Sequence, residues 1–77
     1  MNPGQKMFHD FALQRVKPGK EAEMEAIMSD AFKRQDEGKF SKLYMATTAP
    51  KMMALLRPEC VEEFKQAAAH MSGTLQN

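Results

Sequence analysis

The residues whose types most directly suggest a nucleophile, a base or a zinc ligand are Cys60, His9 and His70. Cys60 follows Pro58-Glu59 and enters the first turn of the last expected helix, where free backbone N–H groups favour a thiolate. Glu59, Glu62 and Glu63 surround it and push the other way, toward the neutral thiol. A free cysteine most often serves as a small buried apolar residue, and Cys60 has that alternative beside the reactive-thiol one. A cysteine–histidine pair can act as nucleophile and base, but it needs an orienting group and an oxyanion site, and neither is legible. His9, Cys60 and His70 lie far apart without zinc-type spacing, so no metal or cofactor is expected. His70, near the end of a helix, suits the bland role of a cation at a C-terminus. Glu21, Glu23 and Glu25 alternate at two-residue steps, which point to different helix faces, and read as solvated first-turn charge. No catalytic residue is assigned.

The apolar side chains carry a different chemistry. Met45, Met52 and Met53, with Phe40, Leu55 and Leu56, form the greasiest region, and methionine surfaces adapt to partner helices or apolar ligands. Phe40, Tyr44, Met45, Met52, Met53 and Leu56 are therefore the candidate binding residues, with plain core filling as the competing role. Lys39, Lys42, Lys51, Arg57 and Lys65 do not share one helical face and are interleaved with acids, as on an ordinary solvated surface.

The elements that must position these residues are short. At 77 residues the chain is one domain, with a thin core. A single cysteine excludes an intrachain disulfide, so self-association is the expected source of extra stability, and eight methionines with five phenylalanines favour it. Net charge is +1, from eleven basic and ten acidic residues, which is no nucleic-acid footprint. The apolar runs are too short to span a bilayer, no secretory signal is seen, and the lone cysteine fits a reducing compartment; a cytoplasmic location is expected.

Along the chain, Asn2-Pro3-Gly4-Gln5 has the residues of a helix start, with a cap, a first-turn proline and the far half of a capping box. Met7, Phe8, Phe11, Ala12 and Val16 give a broad apolar face over a helix at 2–16, with a strand through residues 8–16 as the alternative. A second helix is expected at 18–37, opened by Pro18, striped by Met24, Ile27, Met28, Ala31 and Phe32, and closed at Gly38. A third spans 39–47. Thr47-Thr48-Ala49-Pro50 should break or kink it, because proline removes a backbone donor and crowds the preceding turn. A short helix at 50–57 and a last helix at 58–72 follow, the latter striped by Val61, Phe64, Ala68, Met71 and Leu75, with a frayed tail at 73–77.

Residues Arg15–Met24, RVKPGKEAEM, resemble the strand–turn–helix opening of ferredoxin-like dimeric α/β-barrel proteins, including the antibiotic-biosynthesis monooxygenase family. That resemblance implies a strand ending at the turn and a dimeric barrel, and it carries no catalytic residue here. Residues beyond Phe32 show helical spacing and no run of Val, Ile and Thr. The expected fold is therefore all-α, a bundle of four to five short helices, dimeric through Met/Phe-rich faces, with the ferredoxin-like α+β barrel as the alternative. The leading expectation for function is a non-enzymatic interaction or regulatory module that binds a partner protein or an apolar ligand. The alternatives are a small enzyme or thiol sensor using Cys60, or a monooxygenase-like barrel dimer.

Overall fold

A computed structural model describes residues 1–71. It holds four α-helices, α1 (Pro3–Leu13), α2 (Glu21–Asp36), α3 (Lys42–Ala54) and α4 (Val61–Met71), with a 3-10 turn at Pro58–Cys60 before the last. Among the described residues there is no strand, only an isolated antiparallel bridge between Val16 and Leu56. The molecule is an all-α bundle, and the α+β barrel is excluded. The residues that resemble that family's opening form a turn and a helix, and the segment before them is helical up to Leu13.

Local chemistry sets the helix ends. The Asn2 side chain accepts from the Gln5 backbone N–H at 2.7 Å, and the Gln5 side chain accepts from the Asn2 N–H at 3.0 Å. This reciprocal box starts α1, with Pro3 in the first turn. The helix stops three residues short of the expected Val16, because Val16 pairs with Leu56. The Lys17 N–H donates to the Leu55 carbonyl at 2.8 Å and the Arg57 N–H to the Arg15 carbonyl at 3.0 Å. Two loops, one before α2 and one after α3, are thereby stitched together at one end of the bundle.

Pro18 does not open α2 as its position suggests. Pro18 and Gly19 are the middle of a turn closed by the Lys20 N–H on the Lys17 carbonyl at 3.0 Å, and Gly19 has φ +87°. Proline then glycine is the residue pair a type II turn demands. At the far end of α2, Gly38 (φ 74°) leaves the helix in the left-handed region. The Lys39 N–H reaches back to the Arg34 carbonyl at 2.7 Å and the Gly38 N–H to Gln35 at 3.2 Å, the paired closure of a Schellman motif.

The Ser41 hydroxyl accepts from the Tyr44 N–H at 3.1 Å and caps α3. Of the break or kink expected near Pro50, the break does not occur: a single helix runs from Lys42 to Ala54 with Pro50 inside it. Ala46, whose carbonyl loses its partner there, is exposed, so water can take that bond. The segment at 50–57 is thus the end of α3 followed by a loop, and the last helix begins in α geometry at Val61 rather than at residue 58. The tail expected at 73–77 lies outside the described residues.

One core joins all four helices. Phe8 of α1 lies edge-on to Phe32 of α2, with centroids 6.5 Å apart, and packs at 5.4 Å against Phe64 of α4. Met24, Met28, Met52, Leu55 and Leu56 fill the space around them. Helices of 11 to 16 residues are marginal alone in water, so this shared cluster is what holds them.

Candidate interaction surface

The reactive side chains are kept apart. Cys60 is buried on the 3-10 turn, its Sγ 3.6 Å from an Arg57 guanidinium nitrogen whose own second bond goes to the Gln14 carbonyl at 3.0 Å. His70 stands near the other end of α4, about 15 Å away at 1.5 Å of rise per residue. His9 faces α2 from α1, with Nδ1 3.0 Å from Asp10 and Nε2 2.6 Å from Glu25. Both of its nitrogens are occupied, so the ring has no free position for a general base. The three alternating glutamates divide their work: Glu21 accepts from the Gly19 N–H, Glu23 pairs with Lys20, and Glu25 meets His9. No group of three His, Cys, Asp or Glu residues among those described is placed to hold a metal ion.

The structure separates the six apolar residues singled out from sequence. Phe40, Met52 and Leu56 are buried, while Tyr44, Met45 and Met53 are half-buried. Tyr44 is held in place on three sides. Its hydroxyl donates to Asp30 Oδ2 at 2.7 Å, the Arg34 guanidinium sits 4.4 Å over its ring, and Phe40 meets it edge-on at 6.0 Å. The Tyr44 bond is the main reason the Asp30 carboxyl is held below its ordinary range, with Arg34 adding to it. Partial burial, then the bond to Asp30, pushes the phenol up.

Leu43, beside Tyr44 on α3, is 76% exposed, but the open apolar groove lies elsewhere. Gly4, Met7, Phe8 and Phe11 of α1 and Ala67 and His70 of α4 line a groove of about 380 Å³. Met7 stands at its lip with 74% of its surface exposed. Phe11 is half-buried and carries the Arg15 guanidinium on its ring at 3.7 Å, and Arg15 in turn binds Glu63 of α4 at 2.9 Å. A cation–π stack on Phe11 and an ion pair from Arg15 to α4 thus stand beside the groove. The sequence places Met7 in the core stripe of α1. The broad run of Met7, Phe8, Phe11 and Ala12 was a signal that this helix carries more apolar surface than one core can cover.

A second cleft of about 400 Å³, of mixed polarity, lies between α1 and α2, with Gln5, His9, Glu25, Phe32 and Asp36 on its walls. Gln5 is buried there and donates to Gln35 at 2.6 Å and Asp36 at 3.1 Å. No helix among the described residues is long and apolar enough to cross a membrane. Comparison with protein-family models, curated proteins and solved structures finds no match.

Proposed function

We propose that this chain is a non-enzymatic interaction module whose α1/α4 groove receives apolar side chains from a partner helix, and that the first such partner is a second copy of itself. One observation supports this above the others: a large, flexible methionine, 74% exposed, stands at the lip of an apolar groove of side-chain size. A projection next to a recess on the same face is self-complementary under a twofold axis, so each copy's Met7 fills the other's groove. The arrangement also answers the thin core of so short a chain. A buried, unpaired Cys60 is consistent with a reducing compartment such as the cytoplasm. Its burial counts against a thiol-sensing role.

Sedimentation velocity over a concentration series tests the reading. The wild-type chain is expected to dimerise in the micromolar range. Met7→Lys, at an exposed position where the fold tolerates a charge, is expected to leave a monomer with unchanged far-UV circular dichroism. A wild-type chain that stays monomeric throughout, or a Met7→Lys variant that dimerises equally well, overturns it.

A further inference from the structure

His9 sits between carboxylates on two different helices, 3.0 Å from Asp10 on α1 and 2.6 Å from Glu25 on α2. A carboxylate only accepts hydrogen bonds, and a neutral imidazole has one N–H and one lone pair. The neutral ring therefore serves one of the two partners and turns its lone pair on the other. Only the doubly protonated ring donates to both, and it does so through charge-assisted bonds roughly twice as strong as neutral ones. The His9 side chain is 16% exposed, so its proton exchanges with solvent, while the Asp10 and Glu25 side chains are 49% and 53% exposed, which screens both bonds.

We propose that His9 is a protonation-dependent latch between α1 and α2: the charged ring ties Asp10 and Glu25 together, and loss of its proton removes one bond and the attraction to both acids, loosening α1. The other groups around the ring are consistent with this. On its own helix, Lys6 pairs with Asp10 at 3.2 Å. Across the cleft, α2 contributes Lys33 and Asp36 beyond Glu25, Glu37 follows just past its end, and the chain's start contributes Met1. The acids there outnumber the cations, which favours a positive ring. The bond to Asp10, then that to Glu25, raises His9 above the ordinary imidazole value against a smaller opposing effect of burial. Because the folded value is the raised one, the latch contributes fully below about pH 6.5, the unfolded value, and is lost as pH rises through the folded value. The neighbouring tie from Gln5 to Gln35 and Asp36 is donated by an amide that does not titrate, so it stays in place and α1 is loosened without being released.

Met7 and Phe11 lie on this same helix, so the latch also tunes the groove; that extension alone rests on the proposed function.

The test is an NMR titration of the His9 ring in the wild type and in Glu25→Gln, combined with amide exchange along α1. His9 is expected to titrate above the ordinary value and to move down in Glu25→Gln. Protection of α1 amides, corrected for intrinsic exchange, is expected to fall across that titration by up to about tenfold per unit of elevation. Glu25 is exposed, so the variant keeps the fold. A ring that titrates at or below the ordinary value, or an equal pH dependence of α1 protection in both proteins, overturns the latch. The same titration in Met7→Lys separates the two readings: an unchanged His9 curve in a chain that no longer dimerises leaves the latch standing, and a dimer with an unraised His9 leaves only the groove.

Discussion

Tyr44 is the chain's single tyrosine, and its position is settled by pairings that no local spacing announces. Asp30 and Arg34 lie one turn apart on α2 and grip the phenol from α3, the acid at the hydroxyl and the cation over the ring. Tyr44→Phe keeps the ring and removes the donor. The Asp30 carboxyl, now held down mainly by that donor, is expected to rise toward its ordinary value, which a carbon-detected NMR titration reads directly. An Asp30 that titrates identically in both proteins would show that Arg34 alone sets it. His9 teaches the same lesson about legibility. Its neighbour Asp10 is visible in sequence, but Glu25 is sixteen positions away and comes into reach only when α1 lies on α2. The sequence marked the three glutamates of early α2 as solvated charge, and only packing assigns one of them a partner on another helix. Cys60 was legible as either a reactive thiol or a small apolar residue, and its burial favours the second.

At the scale of helices, caps and spacing were enough to announce α1, α2 and α4, because each carries its own start or stop chemistry within a few residues. The expected end of α1 was wrong because of a long-range pairing: Val16 leaves the helix for Leu56, which lies forty residues on. The start of α2 was wrong for a local reason, the turn at Pro18-Gly19. Pro50 is a further departure. Its local cost is real, but α3 places Thr48 and Met52 in buried positions on either side of it, and that packing carries the helix through. Stability should therefore be gained by removing the proline. Pro50→Ala restores a donor for the Ala46 carbonyl and relieves the crowding, together about 3 kcal/mol in a helix interior. The freer unfolded chain returns about 0.4–1 kcal/mol of that. The net expectation is a gain of about 2 kcal/mol in a urea titration. A loss would mean that the stiffness proline gives the unfolded chain outweighs the restored bond at this exposed position.

At the scale of the whole molecule, one shared core joins the four helices. The methionines and phenylalanines flagged from composition were divided by packing into two roles: Phe8, Phe32, Phe64, Met24, Met28 and Met52 make one core, and Met7 is left outside it. Composition cannot make that division, since it depends on which face of α1 meets α2 and α4. Leu56 is the residue where two organising features meet, being 1% exposed in the core and paired through its backbone with Val16 across the two loops. Leu56→Ala removes the side chain from the core without touching the backbone bonds of the bridge. Such truncations cost about 2–5 kcal/mol. That is a large share of the 5–15 kcal/mol typical of a whole domain, and this chain belongs at the lower end because of its size. With a urea slope of about 1 kcal/mol/M for so small a protein, the midpoint should fall by about 2 M or more. Tyr44 fluorescence reports the α2/α3 side and far-UV circular dichroism reports all the helices, so the pair tests cooperativity as well as stability. Both probes are expected to give one shared midpoint in the wild type and to move together in the variant. If fluorescence and dichroism part company in Leu56→Ala, the α2/α3 side is a separate folding unit and the stitched loops are what joins it to the rest.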